Sequence, residues 1–164
     1  MVSVSLAITG VDPQQLAELT KMTVDDQRRL RVNALGFLQT LKPAFESATA
    51  LIAPTFIGGG IRKKILEGMA HQVPVIATDL DIRTCSYFSH GENILRLGSP
   101  EEFAATVRQL LDDDALWDRL SANGRSTVER HADWAQFADV LLRELADLRA
   151  GHQHRGPNLL PRSA

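Results

Sequence analysis

Two periods of hydrophobicity alternate along this chain. Short apolar runs rich in β-branched residues are separated by longer stretches in which apolar residues recur at helical spacing. The first run, "VSVSLAI" (Val2 to Ile8), reads as a strand ending at Thr9-Gly10. "DPQQLAELTK" follows, with Asp12 placed to cap a helix and Pro13 at its first position. Val24 to Leu30 reads as a polar helix or loop, "VNALGF" as a second strand reaching Gly36, and "LKPAFESA" as a short helix. "TALIAP" is a third strand, closed by Pro54. A glycine run then leads into a helix expected from about Ile61 to Gln72, followed by the strands "VPVIAT" and "NILRLG". "SPEEFAATVRQLLDD" opens with Ser99 as cap, Pro100 at the first position and Glu102 three residues after the cap. "ALWDRLSANGRSTVERH" and "DWAQFADVLLRELADLRA" read as two more helices, and the polar, proline-bearing tail from Gly151 as disordered.

This alternation predicts an α/β fold: a Rossmann-like parallel sheet of about five strands, with helices on both faces and right-handed crossovers. Ligands of such sheets bind beyond the carboxyl ends of the strands. Those ends are Thr9-Gly10, Leu35-Gly36-Phe37, Pro54 to Gly60, and Thr78-Asp79. Three of the four carry glycine, which lets a ligand approach the backbone.

Composition narrows the picture. A length of 164 residues favours one domain, expected over residues 1–150 with 151–164 as its tail. Hydrophobic residues make up 44%, enough for a core, and the net charge of −2 gives no bulk electrostatic case for nucleic acid or an anionic membrane. The single cysteine, Cys85, cannot form an internal disulfide, which fits a reducing, cytoplasmic setting. No apolar run approaches the roughly 20 residues that span a bilayer. The N-terminus lacks the basic region of a signal peptide, and no internal repeat is present.

The chemistry concentrates in "PTFIGGGIRKKILEGMAHQVPVIATDL". Gly58, Gly59 and Gly60 lie where a strand ends and a helix begins. The first amides of a helix lack intrahelical partners and carry part of a positive charge, so glycines before them admit an anion, most often phosphate. Arg62, Lys63 and Lys64 add full positive charges where cations oppose the helix dipole, a penalty that an anionic ligand would reverse. A flexible turn with solvated basic residues is the competing reading. The P-loop pattern does not fit, and a dinucleotide fingerprint begun at Gly58 would need glycine where Lys63 stands. Glu67 sits off the apolar stripe of Ile61, Ile65, Leu66, Met69 and Ala70. It lies roughly 10 Å along the helix from Gly60, about the span from a diphosphate to its ribose. A carboxylate there could accept hydrogen bonds from a vicinal diol. The residues taken alone favour a surface pair with Lys63 at i,i+4.

The block "GGGIRKKILEGMAHQVPVIAT" resembles the donor-binding signature of retaining GT-B glycosyltransferases, in the broad group 1 family that uses nucleotide sugars. "VNALGFLQTLKPAFESATALIAPTF" and "GENILRLGSPEEFAATVRQLLDDDALWDRLSANGRSTVERHADW" resemble the segments before and after that block, so the likeness runs from Val4 to about Leu148. It implies that Glu67 binds the ribose hydroxyls of a nucleoside diphosphate sugar. Gly58, Gly59, Gly60 and Ile61 would face the diphosphate or sugar, Arg62 and Lys64 would match the family's basic positions, and Gly36 and Phe37 would lie near the base. Such enzymes can work without a metal, because helix amides and basic side chains neutralise the leaving diphosphate. No catalytic residue is assigned.

Three departures from the family pattern stand out. Many members carry an earlier glutamate at the position occupied here by Gly59. The chain matches only the donor half, so the acceptor domain is expected from an N-terminal region or a partner chain. The usual opening strand, with its Lys-Gly, is also missing ahead of "SLAITG". The expectation is therefore the donor-binding half of a hexosyltransferase-like enzyme that passes a sugar to a glycan or other acceptor, with no transfer by this half alone. The alternative is a non-catalytic nucleotide-binding or interaction module derived from the same fold. A phosphoacceptor signalling domain would need an acidic cluster that "AITG" and "NALGF" lack.

Other residues take minor roles. His152 and His154 read as tail residues rather than metal ligands, His71 as a helix end and His90 as a turn residue. Cys85 reads as packing, and Asp79 as either a cap or a ligand contact. Trp117, Trp134 and Phe137 read as core, and the apolar face of the last helix (Val140, Leu141, Leu145, Leu148) as a surface for the absent half.

Overall fold

A computed structural model describes residues 4–58, 60 and 62–149, with the backbone alone at 134, 136, 137 and 149. The predicted tail, with His152 and His154, lies outside the described residues. The chain divides into two compact units, Met1–Ser47 and Ala48–Ala164. The five expected strands are all found and all pair in parallel, two in the first unit and three in the second.

In the first unit, β1 (Leu6–Ile8) pairs with β2 (Val32–Ala34) in the register Leu6↔Val32 to Ile8↔Ala34. Between them run α1 (Pro13–Thr20) and α2 (Val24–Arg29), so the ambiguous polar stretch is helical. Both start on reciprocal capping boxes, Asp12 with Gln15 and Thr23 with Asp26, each satisfying two otherwise unpaired amides. The buried Gln27 donates from Nε2 to the Pro13 carbonyl at 2.9 Å, tying α2 to the start of α1. Helix α3 (Lys42–Glu46) buries Phe45.

In the second unit, β4 (Val75–Thr78) is the central strand between β3 (Leu51–Ala53) and β5 (Leu95–Leu97). Every residue of β4 is buried, as a parallel strand covered on both faces must be. Its side chains alternate between two cores. Val75 and Ala77 join Ala53, Ile65, Met69, Phe88 and Ile94 on one side. Ile76 joins Leu95, Leu110, Leu116 and Leu120 on the other. The helices are α4 (Lys63–Ala70), α5 (Asp79–Arg83), α6 (Pro100–Asp112), α7 (Asp114–His131) and α8 (Trp134–Arg149).

Helix α4 follows the glycine run and sits close to the sheet because residue 68 is glycine. A Cβ there would fall 2.6 Å from Leu51 Cδ2. Its end is fixed by α7, where Ser121 Oγ donates to the Gln72 carbonyl at 2.7 Å and Arg125 Nη1 to the Ala70 carbonyl at 2.5 Å. Trp117 packs beside the second core and donates from Nε1 to the Thr49 carbonyl at 2.8 Å. Cys85 packs against the first core, as expected. The side chains of Trp134 and Phe137 lie outside the described residues. Among the described residues no helix is long and apolar enough to cross a membrane.

Candidate functional site

Residues 54–62 form the turn from β3 to α4, at the carboxyl edge of the three-stranded sheet. Gly58 has φ +118° and Gly60 φ +92°, conformations that side-chain-bearing residues rarely adopt. Among the described residues a Cβ at Gly60 would meet nothing within 4 Å, and one at Gly58 only the tip of Arg62 at 4.0 Å. Glycine is required here by backbone conformation, not by crowding. Gly59 and Ile61 lie outside the described residues. Phe56 and Ile57, just ahead of the glycines, are exposed.

Helix α4 begins two residues later than its sequence pattern suggests. Arg62 occupies the cap position with φ −84° and ψ +66°, and no side chain caps the helix. The first turn contains no acid and holds Lys63 and Lys64, both exposed. The unpaired amides therefore stand beside two lysines, at the end of an open glycine turn. That combination favours a negatively charged guest.

Glu67 lies one turn further along α4, half-exposed, with Oε1 3.5 Å from Lys63 Nζ. The surface pair considered from the sequence is thus present. Such exposed pairs contribute only about 0.3–0.5 kcal/mol, so the pair leaves the carboxylate available for a stronger partner.

Arg62 is placed differently from the two lysines. Its side chain is buried, its Nε lies 2.5 Å from Asp81 Oδ1, and its Nη2 donates to the Gly58 carbonyl at 3.1 Å. Asp81 is fully buried in the first turn of α5. Nearby, Thr78 Oγ1 donates to the Thr55 carbonyl at 2.6 Å, a second tie between the glycine turn and the β4–α5 junction. Thr78, not Asp79, caps α5, and Asp79 instead lies 3.8 Å from Arg83 and 4.0 Å from Arg96. His71 ends α4, and His90 sits in the turn before β5, where its Nδ1 accepts from the Arg96 amide at 3.1 Å.

Sequence reasoning missed Asp81 and took Thr78 only as the end of its strand. Asp81 follows that strand's carboxyl end, which was the available signal, but Asp79 comes first. Nothing in the residue order distinguishes the buried aspartate from its exposed neighbour.

Gly36 and Phe37 belong to the first unit, at the carboxyl end of β2. Gly36 takes φ +66° and its carbonyl accepts from the Gly10 amide at 2.8 Å, so the two strand-end glycines are joined. Phe37 is 90% exposed, an unusual position for a phenyl ring.

Comparison with known proteins fits this geometry. Residues 1–113 match the sequence profile of the family described as glycosyl transferases group 1. The phosphatidyl-myo-inositol mannosyltransferase of Mycobacterium leprae is 28% identical over 130 residues, covering 72% of this chain and 34% of its own length. The chain thus spans about a third of that relative. Among solved structures, Anabaena HepE in complex with UDP superposes with a TM-score of 0.73 at 18% identity, over 88% of this chain and 41% of HepE. The C-terminal domain of a group 1 family protein, LpcC from Francisella tularensis, gives 0.61 at 16% identity, over 73% of this chain and 65% of that domain. These two likenesses show the Rossmann-like fold, and the profile match covers well over half of the sequence. The chain belongs to the glycosyl transferases group 1 family.

Proposed function

We propose that this chain is the donor-binding half of a glycosyltransferase, which takes a sugar from a nucleoside diphosphate sugar and passes it to a glycan or other acceptor. The observation that carries this reading is the open, uncapped β3–α4 junction with its two exposed lysines, in a chain of this family. Gly58, Gly59, Gly60 and Ile61 line the diphosphate or sugar, Arg62 and Lys64 supply the basic character, and Glu67 accepts hydrogen bonds from the ribose diol. Gly36 and Phe37, in the first unit, are a separate candidate for contact with a base. HepE binds UDP, which supports a nucleoside diphosphate as the ligand class.

Departure of the diphosphate needs compensation for its charge. Helix amides and basic side chains provide it here without a metal ion, acting as oriented donors that need no rearrangement during reaction. The acceptor site and the reacting groups reside in another domain or partner chain. The assembled enzyme acts in the cytoplasm, where nucleotide sugars are made.

The test is a titration of the full chain with UDP, GDP and ADP, followed by amide NMR shifts, with Glu67→Ala in parallel. One nucleotide is expected to shift Gly58 to Lys64 saturably. Removing two charge-assisted hydrogen bonds at Glu67 should weaken it by about tenfold or more. The amides of Gly36 and Phe37 are read separately. A folded chain that responds to none of the three nucleotides would overturn the donor-binding reading and leave a non-catalytic module.

A further inference from the structure

The ion pair of Arg62 with Asp81 is unlike the others among the described residues. The two side chains are 9% and 0% exposed, whereas the other pairs lie at the surface. Charges removed from water are tolerated only when paired, and breaking such a pair leaves an uncompensated buried charge. Geometry adds to this. At 2.5 Å the Arg62 Nε–H is not aimed along the contact, and neither Asp81 oxygen receives an aligned hydrogen bond among the described residues. The carboxylate is therefore held mainly by charge, from one guanidinium. Arg83 and Arg96 lie against Asp79 instead.

An arginine beside a diphosphate site would ordinarily be assigned to the phosphates. Here that would require Arg62 to swing away and leave Asp81 charged and unpaired in the interior. The opposite arrangement costs nothing comparable: Arg62 stays, and its Nη2 holds the Gly58 carbonyl.

We propose that Asp81 and Arg62 are positioning residues for the phosphate-binding turn. Asp81 holds the guanidinium, the guanidinium holds the Gly58 carbonyl, and the left-handed turn at Gly58 and Gly60 is thereby kept in the form that accepts a nucleoside diphosphate. Lys64 is then the cation that meets the phosphates. This rests on the donor-binding reading above and sharpens it, because it moves Arg62 from ligand contact to loop support.

The experiment compares the full wild-type chain with Asp81→Asn, Arg62→Gln and the apolar double variant Arg62→Met/Asp81→Leu. Each is titrated with UDP, GDP and ADP while the amides of Gly58, Gly60, Ile76 and Leu95 are followed. The double variant matters because replacing a buried ion pair with apolar residues often preserves stability. It should keep the wild-type thermal midpoint and the Ile76 and Leu95 shifts, yet bind the nucleotide about tenfold more weakly. Asp81→Asn should displace the Gly58 and Gly60 amides before any nucleotide is added and weaken binding as much as Arg62→Gln does. The two single effects should not add. Asp81→Asn that leaves binding unchanged or tighter, while Arg62→Gln weakens it, would overturn the proposal and return Arg62 to the phosphates. A wild-type chain that binds none of the nucleotides would sink the donor reading itself. The free-chain amides then decide the tie separately: unmoved Gly58 and Gly60 in Asp81→Asn overturn it, and displaced ones uphold it.

Discussion

The second unit contains two junctions of the same plan, each a parallel strand, a glycine-bearing turn and a helix. After β5, Ser99 accepts the Glu102 amide at 3.3 Å, and the Glu102 carboxylate accepts the Ser99 amide at 2.8 Å. Glu101 and Glu102 sit in the first turn of α6, where negative charge suits the dipole. A Cβ added at Gly98 would overlap the Glu102 carboxylate, so the position beside this glycine is taken by the helix's own acid. After β3 everything is reversed. Helix α4 has no side-chain cap, no acid and two lysines in its first turn, and among the described residues a Cβ at Gly60 would meet nothing within 4 Å. One junction is complete in the free chain, and the other leaves its amides and cations for something that arrives. Where a fold repeats a junction, the incompletely satisfied copy is the one to examine for a ligand.

Converting one junction into the other should give the largest effect. Lys64→Glu places an acid in the first turn of α4, as at α6. The free chain should become more stable, by about 0.3–1 kcal/mol at low salt, because the charge now complements the dipole. Nucleotide binding should fall by more than tenfold, since a repelling carboxylate replaces an attracting ammonium. Chemical denaturation and the nucleotide titration check the two halves. A variant that binds as well as wild type would break the comparison, by showing that α4's end is not where the anion sits.

The complementary change is Ser99→Ala. Loss of this cap should cost about 1 kcal/mol, which lowers the thermal midpoint by about 3 °C for a chain of this size. Nucleotide affinity should be unchanged, because α6 is already finished by its own residues. Reduced affinity in Ser99→Ala would mean that the two junctions are not independent.

The contrast also explains which features could be read before any coordinates. Element order was legible because β4 is apolar on both faces while α4 and α6 show helical spacing. The Ser99–Pro100–Glu102 cap was legible because capping is local chemistry, written in residues three apart. The glycine turn was legible for the same reason. The grouping of five parallel strands into a pair and a triplet was not, since it depends on which strand edges meet, and the strands are only three or four residues long. Nor was the role of Arg62. From the residue order it belongs with Lys63 and Lys64, and only the burial of Asp81, 19 positions later in the chain, separates it from them. Long-range charge pairing of this kind has no periodicity.

The smallest effect expected is in the pH dependence of the two junctions. The Glu101 carboxyl is held below its ordinary value of 4.5, first by a hydrogen bond from its own backbone amide and then by the Ser99 hydroxyl, which donates to Oε2 at 2.9 Å. A carboxyl with a depressed folded-state pKa binds protons less readily than in the unfolded chain. Its contribution is therefore complete above about 4.5 and is lost as pH falls through the folded value. The group is fully exposed, so salt should screen much of the effect. Thermal midpoints of wild type and Glu101→Gln at low salt should differ near pH ~6 and converge near pH ~3. Helix α4 has no acid in its first turn to supply a matching term. Introducing one with Lys64→Glu should create the same convergence there, with Lys64→Gln as the neutral comparator. If the wild-type and Glu101→Gln midpoints stayed equally far apart across that range, the first turn of α6 would owe nothing to its ionised acid, and the electrostatic half of the contrast between the two junctions would fall.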